Sequence, residues 1–265
     1  MPSLEMSTLP LSSSLAEILR RTAGTSHVLV LLDFDGTLAP LQDQPDAAKV
    51  PEQARDLLRR LAEDSRATVG IVSGRSVGDL EERVALGGIV YAGNHGIEIR
   101  GQGLHFVEPT AFLLEPVLKK VVTELSDRVA GIPNARVEDK RLTASLNLRG
   151  VRPEHRIRAS EIVLSLVGES SQFLCRPAKD AFDILPRNGW HKGRAVEWIR
   201  QHLGMNEALV IFAGDDVSDE DAFSALAGAV TIKVGDLPTA ASYRAESPSE
   251  IWALLTQLET ALACH

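Results

Sequence analysis

Val28-Leu29-Val30-Leu31-Leu32-Asp33-Phe34-Asp35-Gly36-Thr37 runs five apolar residues straight into two carboxylates and a glycine. Apolarity without alternation marks a strand covered on both faces, the habit of parallel sheets flanked by helices. The pattern returns twice: Ala67-Thr68-Val69-Gly70-Ile71-Val72 stops at Ser73-Gly74-Arg75, and Leu209-Val210-Ile211-Phe212-Ala213 stops at Gly214-Asp215-Asp216. Helical patterns fall between these runs at 52–62, 77–83, 193–203 and 219–226. Alternating strand and helix predict an α/β fold, a Rossmann-like parallel sheet core. Ligands of such sheets bind beyond the carboxyl ends of the strands, where all three polar turns fall.

The middle of the chain has a different grammar. Residues 101–186 read as a helix (111–129), two β-like pieces (136–139 and 143–148), a second helix (153–166) and a last β-like piece (181–185), with Gly101, Gly103, Pro186 and Gly189 at the edges. Leu104 to Pro186 carries 12 Lys+Arg against 11 Asp+Glu, a net of +1, and the rest of the chain carries −9. The expected organisation is a core of 16–100 and 187–265, an inserted α+β cap at 101–186, and a flexible tail at 1–15. Trp198, Ile251, Trp252, Leu254 and Leu255 are apolar at helical spacing and are assigned to the core.

Composition excludes several classes. With 265 residues and a formal charge of −8, the chain is a poor general binder of nucleic acid, whose affinity rests on Lys and Arg neutralising phosphates. Two cysteines, Cys175 and Cys264, make neither a disulfide scaffold nor a zinc-ligand spacing. No apolar run approaches the roughly 20 residues of a membrane span, and Glu5 stands where a signal peptide carries positive charge. The expectation is a cytoplasmic monomer or weak dimer with a small-molecule partner, bound to neither nucleic acid nor membrane.

The strand ends carry the chemistry. In extended backbone, residues i and i+2 point to one side, so Asp33 and Asp35 emerge together and Gly36 lets the chain turn away. The second acidic turn, Gly214-Asp215-Asp216-Val217-Ser218-Asp219-Glu220-Asp221, contains a capping box if Ser218 pairs with Asp221. That leaves Asp215 and Asp216 unexplained by capping. Two acidic turns at neighbouring strand ends repel unless a cation lies between them, and hard oxygen donors suit Mg²⁺. Ser73 offers a hydroxyl beside backbone N–H groups, and Lys192 starts a helix at Lys192-Gly193. A carboxylate nucleophile, a neighbouring acid, a hydroxyl, a lysine and metal-binding acids form a phosphoryl-transfer set. P-loop, zincin and dinucleotide motifs are absent from the sequence.

These residues resemble a known group of proteins. Asp33-Phe34-Asp35-Gly36-Thr37-Leu38, Ser73-Gly74-Arg75, Lys192-Gly193 and Gly214-Asp215-Asp216 look like the four motifs of the haloacid dehalogenase superfamily. Within it, Gly93-Asn94-His95-Gly96-Ile97-Glu98, Val137-Glu138-Asp139-Lys140 and 214–223 resemble the trehalose-6-phosphate phosphatase family. The resemblance implies a type C2 cap and four catalytic residues: Asp33 as nucleophile, Asp35 as acid and then base, and Ser73 and Lys192 on the phosphoryl oxygens. It implies Mg²⁺ held by Asp33, the Asp35 carbonyl and Asp215, with Asp216 in support. Substrate contacts would come from Gly74, Arg75, Asn94, His95, Glu138, Lys140, Arg149 and Asp183. The chain departs from the pattern where Asn147-Leu148-Arg149 replaces His-Tyr-Arg and Asp183-Ile184-Leu185-Pro186 replaces Glu-x-Arg-Pro. Those departures leave open a related glycosyl phosphate of glucosylglycerol or glucosylglycerate type, and a phosphomannomutase-like phosphotransferase remains the runner-up. A receiver-type phosphoacceptor shares the strand-end Asp, hydroxyl, lysine and Mg²⁺ but lacks a large insert.

Overall fold

The computed structural model describes residues 8–42, 47–178 and 180–263. They form two compact units, one running to His105 and resuming at His191, the other spanning Phe106–Trp190.

The first unit begins with β1 (Leu9–Pro10), α1 (Leu11–Ala23), β2 (Val28–Leu32), α2 (Glu52–Glu63), β3 (Ala67–Val72), α3 (Val77–Val84), β4 (Val90–Gly93) and β5 (Glu98–Gly101), and the unit boundary falls within β6 (Leu104–Val107). The second unit contains α4 (Pro109–Val129), β7 (Arg136–Asp139), β8 (Ala144–Asn147), α5 (Pro153–Gly168), β9 (Phe173–Ala178) and β10 (Ala181–Pro186). The chain then completes the first unit with α6 (Lys192–His202), β11 (Leu209–Gly214), α7 (Val217–Ala225), β12 (Val230–Val234), β13 (Tyr243–Ala245) and α8 (Pro248–Ala263).

One nine-stranded sheet, in the order β1-β13-β12-β11-β2-β3-β4-β5-β6, runs through the first unit. Every residue of β2 and β3 is buried, as the unbroken apolar runs require. Val28, Val30 and Leu32 join Val69, Ile71, Ile211 and Ala213 in the larger core, against the apolar stripes of α2 (Leu57, Leu58, Leu61) and α8 (Ile251, Leu254, Leu255, Leu258). On the opposite sheet face, the Phe212 ring meets Phe223 of α7 edge-on at 5.8 Å. Helix α6 approaches α7 so closely that a Cβ on Gly193 would lie 2.8 Å from the Ala225 methyl. The chain leaves β2 toward β3 and returns as β11 on its other side, in parallel register (Leu32 opposite Ile71 and Ala213). This reversal of winding opens the crevice in which ligands of such sheets bind.

Two boundaries differ from those expected. Residues 8–15 are not a tail: Leu9 pairs with Tyr243 of β13, and α1 starts at Leu11, whose buried side chain joins Ile18 in the core. The amphipathic repeat of 11–23 supplies the stabilising burial. Residues 1–7 lie outside the described residues, as does Cys264. At the second boundary, β5 and β6 extend the main sheet, with β5 antiparallel to β4. Gly101 and Gly103 (φ +104° and +77°) turn this hairpin and do not open the insert.

The second unit has its own four-stranded antiparallel sheet, in the order β7-β8-β10-β9. Leu146, Ile184 and Phe173 share a separate core with Leu118 and Leu125 of α4 and Val163 of α5. Entry and exit are stitched together by Phe106 stacked on Trp190 at 5.1 Å and by Asn188 donating to Glu108 at 2.6 Å. No helix among the described residues is long and apolar enough to cross a membrane.

Gly70 tests the central packing, because an added Cβ would lie 2.7 Å from the Leu31 side chain and 3.0 Å from Val90. Gly70→Ala is expected to destabilise by about 1–3 kcal/mol. Gly78→Ala in α3, where an added Cβ meets nothing within 4 Å, is expected to stabilise by up to about 1 kcal/mol. Urea unfolding of both variants checks this; equal midpoints would contradict the packing.

Candidate active site

The β2 end is a tight loop that fixes its two acids. The Gly36 N–H donates to the Ala39 carbonyl (2.8 Å), the Ala39 N–H donates to the Phe34 carbonyl (2.8 Å), and Trp252 Nε1 on α8 donates to the Leu38 carbonyl (3.1 Å). Gly36 has φ +77°, and a Cβ there would lie 2.1 Å from Asp215 Oδ2. Asp33 donates its N–H to the Ala213 carbonyl (2.9 Å), which locks the β2 and β11 ends together.

Asp33 is 4% exposed, and its Oδ1 accepts from Lys192 Nζ at 2.7 Å. The same ammonium donates to Asp219 Oδ1 at 2.7 Å. Carboxylate oxygens of Asp33, Asp215 and Asp219 all lie within 4.8 Å of one another. Burial, Asp219 and Asp215 push the Asp33 carboxyl well up against the pull of Lys192. Burial, Asp219 and Asp216 push Asp215 up to about 7, while Lys192 and Lys233 oppose the rise. Burial alone would lower Lys192, yet Asp219 and Asp33 outweigh it and hold the ammonium charged. Three carboxylates around one ammonium leave an excess of negative charge in a desolvated place, and that donor set suits a hard divalent cation.

Asp219 was read from sequence as part of a helix start, and the structure revises both details. The cap of α7 is Asp216, two residues earlier than Ser218, and Asp219 Oδ2 accepts the Asp216 N–H at 3.0 Å. Asp219 thus uses one oxygen for the helix and the other for Lys192. A Cβ on Gly214 would lie 2.1 Å from Asp219 Cγ, so the glycine lets this carboxylate reach the crevice. Asp216, expected beside the metal, is outside the three-carboxylate group and caps the helix. Lys233 escaped the sequence reading as well. The residue is 1% exposed, and its ammonium donates to the Asp215 carbonyl at 2.6 Å and stands 3.7 Å from Glu220. A lysine inside Val230-Thr231-Ile232-Lys233-Val234 was the available signal.

The β3 and β4 ends interlock. The His95 N–H donates to the Ser73 carbonyl (2.8 Å), and the Asn94 N–H donates to the Arg75 carbonyl (2.6 Å). Asn94 and His95 both take left-handed backbone (φ 52° and 60°), and a Cβ on Gly74 would lie 2.8 Å from the His95 ring. Ser73 is 2% exposed, and its Oγ accepts from the Arg75 N–H at 3.3 Å. Arg75, expected on substrate, grips Asp35 with Nε (2.6 Å) and Nη2 (2.8 Å) and reaches Asp79 with Nη1 (2.8 Å).

In the second unit, Glu138, Ser145, Asp183 and Arg176 are successive cross-strand partners and share one sheet face. Lys140 Nζ donates to Ser145 Oγ (2.7 Å), and Ser145 Oγ donates to Asp183 Oδ1 (2.6 Å). Ser145 was not singled out from sequence, although the alternation Ala144-Ser145-Leu146 marks it. Arg149 is apart from this group, 3.9 Å from Asp180 beyond the other end of β8.

A sequence profile described as trehalose-phosphatase matches residues 31–255. The chain belongs to the trehalose-phosphatase family. A Mycobacterium ulcerans trehalose-phosphate phosphatase is 35% identical over 232 residues, covering 84% of this chain and 59% of that protein. A Zea mays trehalose 6-phosphate phosphatase is 33% identical, covering 91% and 72%. The chain spans about three fifths of the length of the mycobacterial relatives it matches. Among solved structures, the C. albicans trehalose-6-phosphate phosphatase C-terminal domain superposes with TM-score 0.82 at 19% identity, over 96% of this chain and 98% of that one. A trehalose-6-phosphate phosphatase related protein superposes with TM-score 0.73 at 27% identity, over 88% and 97%. The haloacid dehalogenase-like fold of the trehalose-phosphatase family is therefore the fold of this chain.

The acid cluster makes stability depend on pH. Asp215 titrates near 7 in the folded chain against an ordinary 3.8, so the folded form binds the extra proton between those values. Stability therefore falls as pH rises through that window. The metal-free protein is expected to melt roughly 5 °C lower at pH 8 than at pH 5, and Asp215→Asn to shrink the difference. Differential scanning fluorimetry reads this; a higher melting temperature at pH 8 would contradict it.

Proposed function

We propose that the protein is a Mg²⁺-dependent phosphatase that hydrolyses trehalose 6-phosphate to trehalose and phosphate through an aspartyl-phosphate on Asp33. The observation that carries this reading is the buried Asp33 carboxylate, gripped by Lys192 beside Asp215 and Asp219 at the mouth of the parallel sheet. Membership of the trehalose-phosphatase family and relatives named for this substrate support the choice of sugar phosphate.

An Asp33 oxygen attacks phosphorus and the bond from phosphorus to the sugar oxygen breaks, while Asp35 gives that oxygen its proton. Water then attacks the phosphorus, Asp35 takes the water's proton, and the bond to Asp33 breaks to release phosphate. Lys192 and Ser73 stabilise the negative charge spread over the phosphoryl oxygens in both halves. Lys192 also keeps Asp33 oriented while it is free. The metal would be held by Asp33, Asp215, Asp219 and the Asp35 carbonyl, and when bound it would neutralise charge on the phosphoryl group. Asp219 takes the part first given to Asp216.

Phe106–Trp190 is the proposed selecting domain, its polar sheet face offering Glu138, Lys140, Ser145 and Asp183 to sugar hydroxyls, which both donate and accept. Leu148 and Leu185, which depart from the family pattern, are 3% and 5% exposed. They thus offer no polar contact, and this observation keeps a related glycosyl phosphate as the second reading.

Asp33→Asn is expected to abolish phosphate release, and sustained turnover by the folded variant would sink the mechanism. Among sugar phosphates assayed with Mg²⁺, kcat/KM for trehalose 6-phosphate is expected to exceed that for glucose 6-phosphate by at least roughly tenfold, or ~1.4 kcal/mol of transition-state discrimination. A glucosylglycerol-type phosphate in first place would decide for the second reading. Net release without a bisphosphorylated sugar activator separates hydrolysis from mutase chemistry.

A further inference from the structure

Arg75 is held by two carboxylates and packs over a ring. Its fork spans both oxygens of Asp35, at 2.6 and 2.8 Å, and its third nitrogen donates to Asp79 at 2.8 Å. Asp79 is anchored in turn by Arg83 Nε at 2.8 Å, and Arg83 donates to the Ala48 carbonyl at 3.0 Å. The Arg75 guanidinium carbon lies 5.1 Å from the centre of the Phe34 ring, and the side chain is 11% exposed. The Asp79 N–H is received by the Ser76 cap of α3, so the second anchor stands on a helix end. A bidentate guanidinium fixes the plane of a carboxylate as well as its place.

We propose that Arg75 is a positioning residue that presents Asp35 as the base for the second half of the reaction, an inference that rests on the roles given above to Asp33 and Asp35. In the first half, the Asp35 proton passes to the sugar oxygen as the bond from phosphorus to that oxygen breaks. Arg75 then holds the resulting carboxylate aimed at the incoming water. Water oxygen bonds to phosphorus, the water's proton goes to Asp35, and the electron pair of the breaking bond returns to Asp33. Asp35 ends the cycle protonated, ready for the next sugar phosphate. Arg75 touches neither phosphorus nor sugar in this scheme; it acts through Asp35.

The test uses p-nitrophenyl phosphate with Mg²⁺, because p-nitrophenolate leaves without needing a proton and the first half then proceeds without Asp35. For Arg75→Ala, rapid mixing is expected to show a burst near one nitrophenolate per site. Steady turnover should then be at least roughly tenfold below wild type, with KM changed less than about threefold and phosphorylated Asp33 trapped on acid quench. Arg75→Lys keeps a charge without the fork and is expected to recover less than half of the loss. Asp79→Asn weakens the Arg75 anchor and the Arg83 pair behind it while leaving Asp35 in place, and is expected to slow steady turnover by roughly two- to fivefold with the burst intact; it stands as the test should Arg75→Ala fail to fold. A slowed burst with raised KM would overturn the proposal by putting Arg75 on the phosphoryl group. Unchanged or faster turnover would overturn it as well. Asp35→Asn separates the two levels of argument. If that variant turns over like wild type, the Asp35 assignment itself fails. If it bursts and stalls while Arg75→Ala does not, only the role of Arg75 fails.

Discussion

Lys192 bridging Asp33 and Asp219 at 2.7 Å on each side is the interaction on which the site depends. All three side chains are nearly inaccessible to water, so the cost of removing their charges from solvent is offset only by this geometry. Breaking one arm would leave a buried charge unpaired. The three residues stand 159 and 27 positions apart along the chain, and the parallel register of β2 with β11 sets Asp33 beside the start of α7, which carries Asp219. The first turn of α6 brings the lysine. The nine-stranded sheet can thus be understood as the frame that holds one ammonium between two carboxylates.

Glycine makes the closeness possible. Gly36 and Gly214 each sit where a Cβ would run into a carboxylate of the opposite acidic turn or of α7, at 2.1 Å in both cases. With side chains at these positions the two turns would be pushed apart, and the three carboxylates would separate into independently hydrated acids. Burial, with repulsion among the acids, raises Asp33 and Asp215, and the same closeness creates a dense set of hard oxygen donors. Lys233, on the neighbouring strand, ties the backbone of the same turn and eases part of that repulsion. Its carbonyl contact leaves the Asp215 carboxylate itself available to the cluster.

Most of this frame was legible in the sequence, for a physical reason. Strands buried on both faces are written as unbroken apolar runs, so β2, β3 and β11 could be placed to within a residue, and the polar turns at their ends marked the crevice. What escaped had two meanings in one dimension. Asp219 looks like a helix-start acid because it is one; only the fold reveals that its second oxygen faces Lys192. The resemblance assigned Arg75 to substrate; Asp79 four residues on was a local hint of another partner, whereas nothing local announces Asp35, forty residues away. Gly101 and Gly103 signalled a turn correctly but could not say which sheet the hairpin joins. Helix α1 was missed: Leu11-Ser12-Ser13-Ser14-Leu15 reads locally as a polar tail, and packing against α8 and β13 buries its apolar side.

The net charge of −8 acquires a location from these contacts. The insert is nearly neutral, so the surplus of acid belongs to the first unit. There, several of the more exposed carboxylates face cations, as in Arg60 with Glu259 and Arg83 with Asp79. The Asp33, Asp215 and Asp219 group instead shares one buried ammonium. Surface pairs contribute little to stability and are screened by salt, whereas a desolvated group with unbalanced charge dominates the local field. A dianionic phosphate alone would be repelled by that field, but a divalent cation would reverse it. With a metal held there, a phosphate would be favourable beside it and unfavourable alone, a coupling that follows from where the acids are and that overall composition could not reveal.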